Sequence, residues 1–254
     1  MWKKKSLGQH FLTSPYYLSM IADAAEITPG DVVLEVGPGE GFLTKVLLSR
    51  GARVVAVEKD HRLIPLLRER FAGQALTVVE CDVLEFDPND NELVASGYTL
   101  IGNIPYYITG ALIRKFLSED SQPRRMTLLV QKEVAERIAR AKKESILSLS
   151  VKVFGEPHYV KTVPRGAFAP PPKIDSAILT IKNISHEHFT NRAHEEWFFA
   201  LVRAGFAQKR KLLKRNLEPL LGENYSNILQ NIGIPENARA EDVPLEKWLL
   251  LSQN

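Results

Sequence analysis

The chain has 254 residues, of which 44% are hydrophobic and 25% are charged, and this balance excludes an intrinsically disordered or collagen-like protein. Its 33 basic and 30 acidic residues give a formal net charge of +3, which is too small to indicate a class of partner. The single cysteine, Cys81, excludes a disulfide framework and a cysteine-rich metal site, and it fits a reducing compartment.

The sequence contains no pattern typical of export or of a membrane span. The basic cluster from Lys3 to Lys5 is not followed by an apolar run of signal-peptide length. The uncharged stretch from Leu93 to Ile113 has the length of a span, but Asn103 and Pro105 within it would leave polar groups unpaired in lipid. We therefore expect a cytoplasmic protein.

The first two-thirds of the chain alternates short β-rich runs with helical patterns, which predicts an α/β fold with a parallel sheet. From about Ser185 onward, apolar residues recur at helical spacing, first through Trp197 to Leu221 and then in short pieces. The sequence therefore predicts an α/β domain at 1–184 and an all-helical domain at 185–254. In chain order, we predict strands at 31–36, 53–57, 76–80, 99–101, 126–130 and 176–181, and helices at 42–49, 61–71, 133–143 and 146–153.

A glycine-rich loop, Glu35 to Gly41 (EVGPGEG), lies between the first of these strands and the helix that follows it. Glycines there permit a tight turn and a close backbone approach, so we predict that Gly37 and Gly39 contact a ligand. The dinucleotide fingerprint needs a glycine where this chain has Phe42. The pattern is more typical of a loop that binds S-adenosylmethionine (SAM), which has no phosphate for a helix N-terminus to hold. A simple turn is the alternative for the loop alone.

Acidic residues follow the next two strands. Glu58 ends the second strand, at the place where a carboxylate accepts from both ribose hydroxyls of a nucleotide. Asp82 follows the third strand, and we predict that it accepts from the adenine amino group. Because open α/β sheets bind ligands at their strand ends, these two carboxylates favour a ligand site over two unrelated solvent contacts.

The segment Asn103-Ile104-Pro105-Tyr106 directly follows the fourth strand. Its proline stiffens the loop, and the Asn103 side-chain oxygen and the Ile104 carbonyl are acceptors suited to an exocyclic amine. Two such hydrogen bonds localise the lone pair of a poorly nucleophilic amino nitrogen, which then attacks a sulfonium methyl group. We predict that the amine belongs to an adenine base, that Tyr106 stacks on one face of this base and that Phe168 covers the opposite face. A helix cap at Asn103 and core packing of Tyr106 are the structural alternative.

A basic stretch without acidic residues lies in the C-terminal domain. Apolar residues are interleaved with it, so we expect a helix with one packed face and one cationic face. Such a face would bind RNA phosphates, which supply affinity and salt dependence rather than sequence choice. A solvated helix face is the alternative. The six basic residues are Arg203, Lys209, Arg210, Lys211, Lys214 and Arg215.

These motifs, in this order, resemble the KsgA family of ribosomal RNA adenine dimethyltransferases, and the likeness runs from Ser6 to about Leu217. Two departures are Tyr107, where many relatives have asparagine, and the absence of a proline near Gly110. The segments that carry the likeness are Gly8 to Leu12 (GQHFL), Glu35 to Gly41, Glu58, Asp82, Asn103 to Tyr106, Gln131 to Glu133, Phe168 to Ser176 (FAPPPKIDS) and Gln208 to Leu217.

The resemblance implies a Rossmann-like, SAM-dependent methyltransferase domain followed by a small helical domain. It implies the conversion of two adjacent adenosines near the 3′ end of 16S rRNA into dimethyladenosines, with a role in small-subunit biogenesis. It also implies that the GQHFL segment closes over the cofactor. The residues that would contact SAM are then His10, Leu12, Gly37, Glu58, Asp82 and Asn103.

Other interpretations stay open. Asn-Ile-Pro-Tyr is also common in the related Erm methyltransferases, which modify large-subunit rRNA, although the triple proline at 170–172 and the Gln208 to Leu217 stretch resemble the KsgA family. A ribosome assembly factor that acts mainly by binding is a second alternative. In the main interpretation the partner is 16S rRNA within the immature small subunit, and the protein acts as a monomer.

Overall fold

The computed structural model describes residues 10–91, 93–95, 97–222 and 225–253. Gly8 and Gln9 of the GQHFL motif and the cluster from Lys3 to Lys5 lie outside these described residues. The chain divides into two compact units. Unit 1 contains the residues up to Glu136 and the segment Glu156–Ile184, and unit 2 contains Arg137–Gly155 and the residues from Ser185 onward.

This division differs from the predicted one at residues 137–155, which we expected in the α/β domain. Their contacts explain the difference. The Glu144 N–H donates to the Glu241 carbonyl at 2.8 Å, and the Phe154 ring stacks on Phe199 with 6.0 Å between ring centroids. Helical periodicity identifies a helix but does not show which later residues that helix packs against. The sequence therefore did not reveal that residues 137–155 belong to unit 2.

A seven-stranded sheet forms the centre of unit 1, in the order β4-β3-β2-β5-β6-β9-β7. The strands from β4 to β6 in this order are parallel, whereas β9 is antiparallel to β6 and β7. Both faces of a parallel sheet are covered by other parts of the protein. Its strands are therefore nearly continuous runs of apolar residues in the sequence. The strands are β2 (Val32–Val36), β3 (Arg53–Glu58), β4 (Leu76–Glu80), β5 (Tyr98–Asn103), β6 (Arg125–Gln131), β7 (Glu156–Val163) and β9 (Ser176–Lys182).

Two short strands, β1 (Phe11–Leu12) and β8 (Phe168–Ala169), pair antiparallel beside this sheet. The predicted strands are all present, but β1, β7 and β8 were not predicted. Strand β7 is an edge strand in which half of the side chains are exposed, so it lacks a continuous apolar run. Helices α1 and α4 were also not predicted. The helices are α1 (Pro15–Ala24), α2 (Phe42–Ser49), α3 (Ile64–Arg70), α4 (Thr109–Ser118) and α5 (Lys132–Ala139), the last of which runs where the chain passes into unit 2.

The strand order reverses at β2. The chain proceeds from β2 to β3 and β4 on one side and then returns to β5 on the other side. The register pairs Val36 with Val57 of β3 and with Gly102 of β5. Open α/β sheets bind ligands outside the carboxyl ends of their strands at such a switch point. The glycine loop, Glu58 and Asn103 therefore meet at one edge of the sheet.

The regular elements among the described residues of unit 2 are all helices, joined by turns and loops. Trp248 is fully buried in it, and an ideal Cβ placed on Gly205 would lie 2.4 Å from the Trp248 ring, so glycine permits this close packing. In the described part of the chain, no helix is long and apolar enough to cross a membrane. The helices are α6 (Ile146–Lys152), α7 (Arg192–Gly205), α8 (Leu213–Leu221), α9 (Tyr225–Asn231) and α10 (Leu245–Ser252).

Candidate active site

A cavity of about 240 Å³ lies in unit 1 at the carboxyl edge of the sheet. Its walls come from β1, the glycine loop and the residues that follow β3, β4 and β5. These segments are distant in sequence, and they converge because each parallel strand ends at the same edge. The predicted site residues that line the cavity are His10, Leu12, Gly37, Gly39, Glu58, Asp82, Asn103, Ile104, Pro105 and Tyr106.

The glycine loop adopts backbone angles that favour glycine. Gly37, Gly39 and Gly41 have φ angles of 66°, 59° and 80°. An ideal Cβ on Gly39 would lie 2.6 Å from the Phe11 ring, so a side chain there would displace the β1 segment. The Gly37 N–H donates to the Val57 carbonyl at 3.0 Å and holds the loop against β3. The loop thus brings its backbone close to the cavity.

Glu58 is 7% exposed and lies between the glycine loop and the turn after β3. Its carboxylate accepts the Gly39 N–H at 3.1 Å and the Asp60 N–H at 2.8 Å. Burial raises the pKa of Glu58, and backbone N–H donors, chiefly those of Asp60 and Gly39, act in the opposite direction. An ionised carboxylate has about four acceptor positions, so about two remain for hydroxyl groups in the cavity.

Asp82 is bound at both carboxylate oxygens. Oδ1 accepts the Leu84 N–H at 3.0 Å, and Oδ2 accepts from Lys59 Nζ at 2.5 Å. The hydrogen bond from Lys59 lowers the pKa of Asp82, and the same bond raises the pKa of Lys59. The sequence did not single out Lys59, although its place directly after Glu58 puts it at the cavity. An adenine amino group would therefore share the Asp82 carboxylate with this lysine.

Asn103 connects the end of β5 to the β1 segment, because its Nδ2 donates to the His10 carbonyl at 3.0 Å. This bond engages the donor side of the amide and fixes the plane of the side chain. Within the described residues, no hydrogen bond reaches Asn103 Oδ1. The amide therefore presents an acceptor to a ligand, as an exocyclic amine requires.

Tyr106 is held from two directions. Its hydroxyl lies 2.6 Å from Ser176 Oγ, and its ring centroid lies 6.4 Å from that of His10, with 23° between the ring planes. His10 Nδ1 lies 2.9 Å from the Pro170 carbonyl oxygen. Burial raises the pKa of Tyr106, so its phenol stays neutral at physiological pH. Tyr106 is thus a fixed aromatic wall beside Asn103.

The structure does not bring Phe168 to the cavity. Phe168 pairs with Leu12 in the β1–β8 ladder, and its ring is 4% exposed in the apolar core of unit 1. A phenylalanine ring gains more by removing its apolar surface from water than by lining an open rim. Phe168 therefore lies outside the cavity, whereas we had predicted that it covers a base opposite Tyr106. The ring that faces Tyr106 is that of His10.

Glu35, which the structure places in β2 just before the glycines of the loop, is 1% exposed and also lines the cavity. Thr44 Oγ1 of α2 donates to Glu35 Oε2 at 2.6 Å. Burial raises the pKa of Glu35 to about 7, and the charge of nearby Glu58 acts in the same direction. Glu35 therefore changes its charge near neutral pH, and the sequence alone gave no sign of this.

We expect Glu35→Gln to change how the stability depends on pH. The folded-state pKa is about 7, above the ordinary value of 4.5, so the contribution of Glu35 is fully present below 4.5 and is lost as the pH rises through about 7. Glutamine mimics the protonated acid. The variant should match the wild type at low pH and exceed its free energy of unfolding by on the order of 3 kcal/mol above neutrality.

Urea denaturation over a series of pH values measures this difference. Glu80→Gln is the matched control, because Glu80 ends β4, two strands away from β2 in the same sheet, and is exposed. A difference between Glu35→Gln and the wild type that stays constant with pH would contradict the assignment.

The basic stretch of unit 2 is not one helix, which corrects the expectation from the sequence. Helix α7 ends at Gly205, α8 begins at Leu213, and the connection between them carries the basic residues 209–211. Asn216 Nδ2 donates to the carbonyls of Gly205 and Gln208 at 2.6 and 3.3 Å. These bonds satisfy carbonyl groups at the end of α7 and hold the turn, so the chain bends where periodicity predicted continuity.

The basic residues of this stretch differ in their partners. Lys214 pairs with Glu236 at 3.0 Å, and Arg215 lies 3.6 Å from Glu218. Arg203 is exposed on α7. The exposed residues Lys209, Arg210 and Lys211, here called the basic turn, form no ion pair with any described residue. The basic turn therefore has the cationic groups most available for an anion.

The charge of the cavity fits a cationic ligand without phosphate. Among its lining residues, Glu35, Glu58, Asp60 and Asp82 are acidic, and the one lysine is paired with Asp82. The buried Glu58 carboxylate keeps acceptor positions for a ribose. SAM combines a ribose with a sulfonium and an ammonium group, so the acidic hydrogen-bond acceptors of this cavity suit SAM and disfavour a pyrophosphate.

Comparison with known proteins gives consistent results. The family described as "Ribosomal RNA adenine dimethylase" matches residues 2–254. A protein of Dehalococcoides mccartyi (strain 195) named "Ribosomal RNA small subunit methyltransferase A" is 40% identical over 253 residues, covering 98% of this chain and 87% of the relative. The protein of the same name from Thermosynechococcus vestitus is 39% identical over 260 residues, with 98% and 96% covered.

Solved structures agree with these relatives. A dimethyladenosine transferase from Plasmodium falciparum superposes with a TM-score of 0.81 at 29% identity, covering 95% of this chain and 96% of that one. The 23S rRNA methyltransferase ErmE superposes with a TM-score of 0.78 at 30% identity, covering 96% and 98%.

Proposed function

Because the chain belongs to the ribosomal RNA adenine dimethylase family, we propose that it dimethylates two adjacent adenosines near the 3′ end of 16S rRNA in the small ribosomal subunit. It is a SAM-dependent rRNA adenine dimethyltransferase. The observation that carries the proposal is the Asn103 amide, whose Nδ2 is held by the His10 carbonyl so that Oδ1 is left to accept from an amino group. The names of the relatives support the small subunit as substrate.

The proposed chemistry depends on the end of β5. Bound SAM supplies an electrophilic methyl group on its sulfonium sulfur. Asn103 Oδ1 and the Ile104 carbonyl accept hydrogen bonds from the adenine amino group, which localises the nitrogen lone pair. These bonds strengthen as positive charge develops on that nitrogen. Pro105 keeps the loop rigid, Tyr106 stacks on the base, and the amino nitrogen loses its proton to water after it gains the methyl group.

The remaining residues of the cavity hold the cofactor in this proposal. Glu58 accepts from the ribose hydroxyls, and Asp82 accepts from the adenine amino group beside Lys59. The backbone of Gly37 and Gly39 allows close approach. His10 and Leu12 in the β1 segment cover the site, and the His10 carbonyl at the same time orients Asn103. Closure of this segment over the cofactor would then also complete the methyl-acceptor site.

We propose that the basic turn binds rRNA phosphates, with Arg203, Lys214 and Arg215 as lesser contributors because the last two are partly paired. Replacing Lys209, Arg210 and Lys211 together with alanine should weaken RNA binding. Each phosphate contact releases about 0.7–0.9 counterion when it forms. Without three such contacts, the slope of log affinity against log salt concentration should become shallower by about 2–3. Filter binding at several salt concentrations measures both effects, and SAM affinity should not change.

A matched control removes three exposed basic residues elsewhere, Lys142, Lys161 and Arg192. It makes the same change in net charge, so it separates the basic turn from general electrostatic attraction. Equal effects of the two triple variants on the salt slope would contradict a role for the basic turn.

The proposed function is tested by methyl transfer from labelled SAM to small subunits that lack these methyl groups. Large-subunit rRNA is assayed in parallel, and the modified nucleosides are mapped by mass spectrometry. Dimethyladenosine in small-subunit rRNA alone supports the proposal. Label in large-subunit rRNA would support an Erm-type activity, which the similarity to ErmE makes the second candidate.

Binding without label in either RNA would support an assembly factor instead. As part of the same proposal, the protein acts in the cytoplasm as a monomer on the immature small subunit. Light scattering of the free protein and of its complex with the particle tests the stoichiometry.

A further inference from the structure

Tyr107 is 73% exposed, which is the largest exposure among the exposed large apolar side chains of the described chain. A single exposed aromatic residue needs no explanation by itself, because such residues are common on protein surfaces. Tyr107, however, also lines the cavity, directly after the Asn103 to Tyr106 segment. An aromatic ring at the rim of a site that receives a nucleic-acid base is in position to contact the same RNA strand.

The backbone directs the side chains of Tyr106 and Tyr107 to different sides. They are consecutive residues of a short 3₁₀ helix, Tyr106–Ile108, in which neighbouring side chains point about 120° apart. Tyr106 is half-buried and held by Ser176, whereas Tyr107 is exposed. The two rings therefore do not lie on the same base. If Tyr106 contacts the target base, Tyr107 is available to a different nucleotide.

The support of Tyr107 is rigid. Pro105 precedes the turn, and the Ile108 N–H donates to the Pro105 carbonyl at 3.2 Å. Helix α4 begins at Thr109, directly after the turn. On a fixed backbone, only the two side-chain torsions of a tyrosine are ordered when its ring stacks, which favours its use as a binding surface.

We propose that Tyr107 stacks on the nucleotide next to the target adenosine and thereby positions the pair of adjacent adenosines at the cavity. This inference rests on the proposed function, in which both adenosines are substrates. When one of the two adenosines occupies the cavity, the neighbour stacked on Tyr107 is the other target; when that second adenosine occupies the cavity, Tyr107 meets the next nucleotide on the same side. Tyr107 is accordingly a positioning residue for the RNA and makes no contact with the reacting atoms.

The first test compares Tyr107→Ala, Tyr107→Phe and the wild type on undermethylated small subunits. Tyr107→Ala should raise the KM for the particle about tenfold, because stacking on one base is lost. Tyr107→Phe keeps the ring and should stay near the wild type. The KM for SAM should be unchanged in both variants. Tyr16→Ala is the matched control, since Tyr16 is 60% exposed on α1 and does not line the cavity.

A second test uses small subunits reconstituted with RNA in which the neighbouring nucleotide lacks its base, and methylation of the remaining adenosine is measured. The wild type should lose about as much on this particle as Tyr107→Ala loses on intact particles. Combining the two changes should cause no further loss, which is the signature of a direct pair.

Independent, additive losses, or a KM for the particle that Tyr107→Ala leaves unchanged, would overturn the inference. A raised KM for SAM in Tyr107→Ala would do the same, because it would place the ring at the cofactor. These outcomes require an active wild-type enzyme. A wild type that does not methylate small subunits would instead refute the proposed function, so the two failures are distinguishable.

Discussion

Replacement of Asn103 by alanine is expected to lower kcat for methyl transfer by about 10²–10³-fold, because it removes a preorganised acceptor that stabilises the charged amino nitrogen in the transition state. The SAM dissociation constant should change much less, since Glu58 and Asp82 hold the cofactor in our proposal. Binding of the RNA should persist. Single-turnover assays with saturating SAM and RNA, together with calorimetric titration of SAM, measure these quantities separately.

Asn103→Asp should not restore activity. The Asn103 Nδ2 donates to the His10 carbonyl at 3.0 Å, and a carboxylate would place a second acceptor against that carbonyl. Loss of this bond would release the β1 segment as well as the amide. Gln74→Ala removes an exposed amide elsewhere in unit 1 and should leave kcat unchanged. Full activity of Asn103→Ala would contradict the mechanism.

Replacement of Glu58 by alanine is expected to weaken SAM binding by about 10- to 100-fold, because hydrogen bonds to a charged group contribute roughly 1.5–3 kcal/mol each. It should also lower the stability of the free protein. The N–H groups of Gly39 and Asp60 donate to this carboxylate, and alanine would leave both without an acceptor. An unsatisfied buried donor costs about 1–3 kcal/mol.

Calorimetric titration with SAM and thermal unfolding measure the two effects of Glu58→Ala. Glu58→Gln keeps the shape and one acceptor, so it should be more stable than the alanine variant while it still binds SAM weakly. Glu80→Ala is the control, because Glu80 is the register partner of Glu58 on β4 and is exposed. An unchanged SAM affinity in Glu58→Ala would remove this carboxylate from the proposed ribose site.

The sequence predicted those cavity residues that stand at the carboxyl end of a strand or directly after it. Glu58 and Asn103 end their strands, and in parallel strands those ends meet at one edge of the sheet. The partners of these residues were not predictable. The contact between Asn103 and His10 spans 93 positions, and the ion pair between Lys59 and Asp82 spans 23. Local patterns carry no information about such pairings.

The structure also decided which aromatic rings are available. Phe168 and Tyr107 are both aromatic residues near sequence motifs, but Phe168 is 4% exposed and Tyr107 is 73% exposed. The difference arises because β8 pairs with β1 and turns Phe168 into the core, whereas a 3₁₀ turn directs Tyr107 outward. Exposure of a side chain depends on the register and direction of its element, which the residue type does not fix.

By itself, the sequence determined the alternation of strands and helices, the glycine loop and the positions of the strand-end acids, because apolar periodicity and glycine spacing are local properties of the chain. Only the tertiary structure decided that residues 137–155 belong to unit 2, that the basic turn interrupts a predicted helix, and that Glu35 has a pKa near neutrality. Burial, charge and hydrogen bonding depend on neighbours in space, and those neighbours are fixed only when distant segments pack together.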